Sequence, residues 1–179
     1  MSAMKLDTEK ICRSLFETVL GAGGVVAGDA GLLEVFPPFG GENAAAMAAR
    51  IADRYPDAVE ESDLTRRAAS LLTRYFAGEP VDFDIPIDFR HFTPFQEAIY
   101  RMVTTIPRGE VRSYSRVAEE TGRPRAARGV GRAMARNPLP IVIPCHRVVG
   151  KSGDLTGYSA AGGIDSKRWL LETERRTTD

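Results

Sequence analysis

The sequence has few of the residues that build disulfide frameworks and metal sites. It contains only two cysteines, Cys12 and Cys145, and two histidines, His91 and His146. Two cysteines are too few for a disulfide framework. The four residues could in number ligate one zinc ion, but they lack the paired spacing of such sites. We therefore expect no metal and no other cofactor, and Cys145 is free to act as a nucleophile.

Long apolar runs are also missing. No stretch approaches the roughly 20 apolar residues that span a bilayer, and residues 1–7 lack the apolar core of a signal peptide. We expect no membrane association and a cytoplasmic location, at the nucleoid if the source is bacterial. The 43% hydrophobic and 27% charged content is typical of a globular protein with a buried core.

The net charge is zero, but the charges are unevenly distributed. Residues 1–100 hold 9 Lys/Arg and 16 Asp/Glu, whereas residues 101–179 hold 15 and 8. Between Glu120 and Asp154 there is no acidic residue but there are seven basic ones, Arg123, Arg125, Arg128, Arg132, Arg136, Arg147 and Lys151. This asymmetry favours two domains, of which the second, basic one faces a polyanion. A solvated basic face without a partner is the alternative.

The first part of the chain alternates apolar runs with glycine-rich segments. Three strands are predicted, over residues 11–20, 25–27 and 32–36. The glycine-rich segments 21–24 and 28–31 would be the turns of an antiparallel meander. The spacing of apolar residues then predicts two helices, over residues 44–55 and 63–77. Residues 81–87 alternate apolar and acidic side chains around a proline, which predicts an edge strand or an extended connector.

The second part of the chain begins with a helix-start signal. Thr93-Pro94-Phe95-Gln96 has the pattern of a capping box, and the helix is predicted to run to Thr105. Two short helices follow, over residues 114–120 and 125–136, with Ser113 as the cap of the first. The turn Thr121-Gly122-Arg123-Pro124 between them gives a helix-turn-helix pattern, which is typical of DNA-binding proteins. A last helix is predicted over residues 164–174.

The second helix of this pair contains Gly129 and Gly131. Each glycine costs about 1 kcal/mol relative to alanine in a helix interior, so something must offset that cost. Close approach of the helix to a phosphate backbone would do so, and the neighbouring arginines favour this interpretation. Tight packing on a neighbouring helix is the alternative.

A cysteine and a histidine lie side by side after a predicted buried extended run, residues 141–143. A nucleophilic cysteine needs a nearby base, and His146 is the candidate for Cys145. Adjacent side chains of an extended chain point to opposite faces, so contact requires a turn or an intervening water. Glu172 or Glu174 could orient the imidazole. The alternative is a structural cysteine beside a surface histidine.

The segment Pro144-Cys145-His146-Arg147-Val148 resembles the active-site signature of the O6-alkylguanine-DNA alkyltransferases. The resemblance extends to the helix-turn-helix around Arg128, to Asn137-Pro138, to the glycine-rich loop after Tyr158, and to Trp169-Leu170-Leu171 followed by Glu174. It also includes the segments that begin at Thr93 and at Ile106. It is strong over residues 93–174 and loose before them.

The resemblance implies an α+β fold of two domains. Residues 1–88 would form a small ribonuclease H-like domain with a short antiparallel sheet. Residues 89–179 would form a mostly helical, winged-helix-like domain that binds DNA and accepts the alkyl group. The implied partner is double-stranded DNA with alkylated bases, bound through its minor groove by a monomer. The implied reaction moves the alkyl group of O6-alkylguanine irreversibly to Cys145 after base flipping, and O4-alkylthymine is an open second substrate.

The resemblance also assigns roles to residues. Cys145 would be the nucleophile, His146 and Glu174 would deprotonate it through a water, and Asn137 would brace the turn before it. Four residues would contact DNA: Tyr114, Ala127, Arg128, which enters the base stack, and Gly131. Four would line the pocket: Met134, Val148, Tyr158 and Ser159. Two other readings remain: a non-catalytic member of the superfamily, which would lack the cysteine, and a helix-turn-helix transcription factor with an incidental thiol.

Overall fold

The computed structural model describes residues 9–156, 158 and 162–176. The chain begins with a three-stranded antiparallel sheet of strand order β1-β2-β3, which confirms the predicted meander. Its strands are β1 (Cys12–Thr18), β2 (Gly21–Gly28) and β3 (Gly31–Phe36). Two helices follow, α1 (Ala44–Arg54) and α2 (Asp63–Phe76). Met47 and Ile51 of α1 are fully buried, as their helical spacing predicts.

The prediction of a glycine turn over residues 21–24 is wrong, because these residues lie inside β2. A Cβ at Gly23 would collide with the ring of Phe16, and one at Gly24 would collide with the side chain of Ile51. These glycines are therefore needed for packing rather than for turning. The chain reverses before these glycines, between the end of β1 and the start of β2. There Thr18 Oγ1 accepts a hydrogen bond from the backbone N–H of Leu20 at 3.1 Å.

The segment between α2 and the second half of the chain is an extended connector that covers the edge of β3. The backbone N–H of Leu32 donates to the Pro86 carbonyl at 2.9 Å, and that of Asp88 donates to the Leu32 carbonyl at 3.1 Å. Within this segment Ile87 forms a single bridge with Leu32. Of the two alternatives for residues 81–87, the connector is the one observed.

Four further helices and a two-stranded parallel pair make up the second half. They are α3 (Pro94–Thr104), β4 (Arg112–Ser113), α4 (Tyr114–Glu120), α5 (Ala127–Ala135), β5 (Val148–Val149) and α6 (Gly163–Arg176). The predicted capping box at the start of α3 is confirmed. The Gln96 N–H donates to Thr93 Oγ1 at 3.2 Å, and the Thr93 N–H donates to Gln96 Oε1 at 3.0 Å. Ser113 caps α4 in the predicted way, accepting from the N–H of Arg116 at 3.1 Å.

The result is a mixed α and β fold with a small sheet and six helices. Its larger core cluster contains residues from both sides of position 88. For example, the ring of Phe76 on α2 stacks against Trp169 on α6 with centroids 5.7 Å apart. Contacts of this kind let the N-terminal sheet and helices position groups around Cys145. Among the described residues, no helix has the length and apolar character needed to cross a membrane.

Candidate active site and DNA-binding face

The turn between α5 and Cys145 is held by Asn137. Its Nδ2 donates to the carbonyl of Ile143 at 2.9 Å, and its Oδ1 accepts from the N–H of Leu139 at 2.9 Å. From the opposite side, the N–H of Val35 on β3 donates to the Pro138 carbonyl at 2.9 Å. The backbone leading to the cysteine is therefore clamped by one side chain and by the edge of the N-terminal sheet.

The prediction of an extended run over residues 141–143 is wrong, although these residues are buried as expected. Ile141 has φ +78°, and the N–H of Ile143 donates back to the Leu139 carbonyl at 2.8 Å. A β-branched residue rarely adopts positive φ, because its side chain crowds the backbone. The hydrogen bonds of Asn137 and the burial of Ile141 hold this strained turn in place.

Cys145 begins a short 3-10 helix, Cys145–Arg147, so it is not on the extended chain assumed for the sequence. Its side chain is buried, with the residue 5% exposed. Burial raises the pKa of the Cys145 thiol, while the hydrogen bond from Asn137 and the charge of Lys167 oppose that rise. The resting group is a thiol, and its attack on an electrophile requires a base.

His146 is fully buried and paired with Glu174. Its Nε2 lies 2.7 Å from Glu174 Oε1, and burial lowers the pKa of the imidazole. The ring is therefore neutral at neutral pH, and its proton lies on Nε2, where the carboxylate accepts it. Nδ1 is then a lone-pair acceptor. It is buried and has no hydrogen-bond partner within the described residues.

Glu174 lies at the centre of a buried ionic cluster, whereas Glu172 is exposed. Its carboxylate accepts from Arg147 Nε at 3.0 Å and from Arg147 Nη2 at 2.9 Å. Burial raises the pKa of Glu174, but the hydrogen bonds and charges of His146 and Arg147 more than offset this, and the net direction is downward. The group therefore stays ionised, in position to stabilise a protonated imidazole.

Arg147 corrects the interpretation of the basic stretch. It was counted with the residues facing a polyanion, but it is only 8% exposed, and its Nη1 donates to the carbonyl of Ile106 at 2.6 Å. The guanidinium pairs with the buried carboxylate of Glu174 and is not available to a polyanion. The position of Arg147 directly after Cys145 and His146 could have indicated from the sequence that it belongs to the candidate site.

Two other residues of the site were missed. Tyr75 on α2 donates to Glu174 Oε1 at 2.7 Å, across 99 positions of sequence, and no local pattern marks it. Lys167 on α6 is 1% exposed, and its Nζ donates to the carbonyl of Val148 at 2.6 Å. Lys167 and Glu174 are seven residues apart on the apolar face of α6. Two charged residues on such a face could have indicated a buried functional site from the sequence.

A cavity of about 160 Å³ opens onto Cys145. The second half of the chain contributes Met134, Asn137, Cys145 and Tyr158, and the N-terminal half contributes Glu34, Val35, Pro37 and Arg50. The hydroxyl oxygen of Tyr158 is buried and has no hydrogen-bond partner within the described residues.

Of the predicted pocket residues, Met134 and Tyr158 line this cavity and Val148 does not. Val148 is fully buried and is not among the residues that line the cavity, because its pairing with Arg112 in the parallel pair turns it into the core. Ser159 lies outside the described residues.

A row of arginines runs along the exposed side of α5 to its C-cap residue, Arg136. Arg128, Arg132 and Arg136 follow one another at four-residue spacing, and all three are exposed. None of them has a carboxylate partner within the described ranges, whereas Arg116 on α4 is paired with Glu120 at 2.6 Å. An unneutralised row of this kind attracts a polyanion.

The two helix glycines have different surroundings. A Cβ at Gly129 would lie 3.0 Å from the ring of Phe95 on α3, so the alternative of tight packing on a neighbouring helix holds for this residue. A Cβ at Gly131 would have ordinary contact with Tyr114 at 3.9 Å. Ala127 and Gly131 are partly exposed. Because both residues are small, another molecule can approach the backbone of α5 closely here.

Tyr114 lies at the start of α4 with its hydroxyl donating to the carbonyl of Thr156 at 2.9 Å. Burial raises the pKa of the phenol. Lys167 Nζ lies 5.8 Å from the Tyr114 ring and also donates to Thr156 O, at 3.2 Å. Tyr114 and the buried Lys167 therefore share the Thr156 carbonyl as a hydrogen-bond acceptor.

Glu9, Asp88 and His91 form the one cluster of the described residues with metal-ligand spacing. Arg90 already occupies its carboxylates, since Nη2 lies 2.6 Å from Asp88 and 2.5 Å from Glu9. A single guanidinium thus pairs with both carboxylates of the cluster.

Residues 94–176 match the family model described as "6-O-methylguanine DNA methyltransferase, DNA binding domain". Curated relatives bear the name methylated-DNA--protein-cysteine methyltransferase. The protein of Mycolicibacterium paratuberculosis is 53% identical over 109 residues, 61% of this chain and 64% of that protein. The protein of Mycobacterium leprae is 48% identical over 115 residues, 64% of this chain and 68% of that protein. The chain belongs to the methylated-DNA--protein-cysteine methyltransferase family.

The resemblance to this family extends beyond residues 94–176, because a solved structure of a relative superposes on 93% of the chain. The crystal structure of Mycobacterium tuberculosis O6-methylguanine methyltransferase superposes with a TM-score of 0.73 at 34% identity, covering 93% of each chain. A structure of the same mycobacterial protein in complex with DNA has a TM-score of 0.71 at 35% identity and covers 92% of each chain. In the alignment with the first of the curated relatives, the chain spans less than two thirds of that protein's length.

Proposed function

We propose that this chain repairs DNA by direct reversal, moving the alkyl group of O6-alkylguanine in double-stranded DNA to Sγ of Cys145. The observation that carries the proposal is a buried thiol at a cavity, followed in sequence by a neutral histidine that is paired with a buried carboxylate. A helix with an unneutralised row of arginines leads to that cavity. The mycobacterial neighbour solved in complex with DNA supports DNA as the partner.

The chemistry follows from the state of each group. His146 Nδ1 takes the thiol proton through one water, and Glu174 stabilises the imidazolium that forms. Sγ attacks the alkyl carbon, so that the S–C bond forms and the C–O6 bond breaks, leaving its electron pair on the guanine. Tyr114 gives the base a proton and regains one from solvent. A thioether has no leaving group that these residues could activate, so each molecule acts once.

Access to O6 requires the damaged nucleotide to leave the stack, at a cost of a few kcal/mol. In our proposal α5 lies in the minor groove, which its small residues Ala127 and Gly131 permit, and Arg128 fills the space of the extruded base. The base then enters the cavity between Tyr158 and Met134. A monomer bound in this way recognises little base sequence.

We also propose that the chain has two domains, 1–88 and 89–179, with ribonuclease H-like and winged-helix-like folds, and a cytoplasmic location.

The test is incubation with a duplex containing one O6-methylguanine, followed by intact-mass measurement. We expect the mass to rise by one methyl group in place of the thiol hydrogen. We expect Cys145→Ser to gain nothing and Cys12→Ser to gain as much as the wild type. Binding without a mass gain would point to a non-catalytic superfamily member. Sequence-specific binding with no preference for the lesion would point to a transcription factor.

A further inference from the structure

The hydroxyl of Tyr75 reaches the relay from the N-terminal half of the chain. It donates to Glu174 Oε1 at 2.7 Å and lies 3.3 Å from His146 Nε2. The tyrosine is 1% exposed, and its ring meets the imidazole edge-on, with centroids 6.5 Å apart and planes at 67°. Tyr75 thus contacts both members of the His146–Glu174 pair, but it is not among the residues that line the cavity at Cys145.

The direction of these hydrogen bonds follows from the carboxylate. An ionised Glu174 can only accept, so the hydrogen of the Tyr75 hydroxyl points at Oε1. The lone pairs of the Tyr75 oxygen are then left toward His146 Nε2. Both groups beside Nε2 are therefore acceptors. The arrangement favours the tautomer with the proton on Nε2 and the lone pair on Nδ1.

The same hydroxyl also limits how strongly Glu174 attracts a proton. Oε1 accepts from Tyr75, from His146 at 2.7 Å and from Arg147 Nη2 at 2.9 Å. Each donor that stabilises the carboxylate reduces the additional stabilisation that the carboxylate can give an imidazolium. A base that must accept the thiol proton and yet be neutral at rest needs this balance.

We propose that Tyr75 is a positioning residue for alkyl transfer, fixing the tautomer and orientation of His146 and tempering the basicity of Glu174. The inference rests on the proposed function, since it concerns the relay that would deprotonate Cys145. It gives the N-terminal part of the chain a direct share in the chemistry.

The test is the pH dependence of single-turnover transfer from O6-methylguanine in duplex DNA for Tyr75→Phe. We expect the rate to fall by about 3- to 10-fold near neutral pH, the equivalent of one lost hydrogen bond. We also expect the acid limb of the profile to move to higher pH by about half a unit, because Glu174 holds the imidazolium more tightly. A purely structural role would lower the folded fraction without moving this limb.

Ser14→Ala is the control. It removes a buried hydrogen bond of 2.9 Å to Thr65 on α2, the helix that carries Tyr75, and neither Ser14 nor Thr65 lines the cavity at Cys145. We expect its acid limb to coincide with that of the wild type. The effect of Tyr75→Phe on the limb should also vanish in a Glu174→Gln background, where the group through which it acts has been removed.

Site-specific incorporation of 3-fluorotyrosine at position 75 keeps the test independent of the folding of Tyr75→Phe. A more acidic phenol donates more strongly to Glu174, so the acid limb should move to lower pH. An unshifted limb in both variants would overturn the inference while leaving alkyl transfer by the wild type intact. If the wild type transfers no methyl group, the proposed function itself fails.

Discussion

Arg147 holds Glu174 with two hydrogen bonds, from Nε at 3.0 Å to one carboxylate oxygen and from Nη2 at 2.9 Å to the other. Both side chains are largely withdrawn from solvent, with the carboxylate at 0% and the guanidinium side chain at 10% exposure. The pair joins the residue two positions after the candidate nucleophile to the C-terminal helix. It keeps a charged carboxylate beside His146 in a part of the molecule where an isolated charge would be expelled.

Removing Arg147 should therefore leave a buried anion without its partner. We expect Arg147→Ala to lower the free energy of unfolding by about 3–5 kcal/mol, measured by urea denaturation. Arg168→Ala is the control, because it breaks an exposed ion pair with Asp165 of 2.7 Å on the same helix. That variant should change the free energy of unfolding by less than about 1 kcal/mol. Equal losses would mean that Glu174 does not depend on Arg147.

The amide of Asn137 should matter for both stability and transfer. Asn137→Ala removes the two hydrogen bonds that hold the turn containing Ile141, and we expect a loss of about 1–3 kcal/mol in unfolding free energy together with slower transfer. Asn43→Ala removes a helix cap on α1, with its 2.9 Å hydrogen bond from Ala46, and should cost about 1 kcal/mol. If the two variants transfer a methyl group at the same rate per folded molecule, Asn137 has no part in presenting the cysteine.

Local signals were readable from the sequence, because their cause lies within a few residues. The capping box at Thr93 and the cap at Ser113 depend on neighbours three positions away, and both are found as predicted. The sequence pattern wrongly assigned the glycines of β2 to a turn, because these glycines are required by tertiary packing. Gly23 makes room for the Phe16 ring from the facing strand, and this contact is invisible in a pattern of turn residues.

The same division applies to the candidate site. Cys145, His146 and Asn137 are close in sequence, and the resemblance of their segment to a known signature singled them out. Tyr75 lies 71 positions before His146 and looks like any aromatic residue on the apolar face of a helix. Only the packing of α2 against the second half of the chain brings its hydroxyl to the relay.

Arg128 is exposed on the first turn of α5. This position predicts that Arg128 is needed for transfer from duplex DNA but not for transfer from a free base. We expect Arg128→Ala to slow methyl transfer from duplex by at least about 10-fold, because nothing replaces the extruded base. Its reaction with free O6-benzylguanine should stay within about 2-fold of the wild type. Arg101→Ala, which removes an exposed arginine paired with Glu97 on α3, should alter neither reaction. Equal losses on duplex and free base for Arg128→Ala would refute base flipping by this residue.

The buried imidazole predicts a stability that falls as the pH is lowered. Burial lowers the pKa of His146 from 6.5, so the unfolded chain binds a proton that the folded chain does not. Stability is therefore lost as the pH falls below about 6.5 toward the folded pKa. Glu174, whose pKa is lowered from 4.5, adds a second loss below that pH.

Urea denaturation at a series of pH values resolves these two windows. The variant His146→Gln should lose the upper one, whereas His91→Gln, which removes an exposed histidine, should retain it. An unchanged slope in His146→Gln would show that the upper window has another source.

Alkylation of Cys145 should weaken the fold that presents it. The residue is 5% exposed and its turn is clamped by Asn137 and by the edge of β3, so an added methyl group overpacks the site. Overpacking of this kind costs about 1–3 kcal/mol, which corresponds to a fall in Tm of about 2–12 °C for a chain of this size. The comparison is the thermal unfolding of the protein before and after one turnover on O6-methylguanine duplex. Cys145→Ser treated with the same DNA is the control and should show no change. A methylated protein that melts at the same temperature as the thiol form would mean that the cavity absorbs the group without strain.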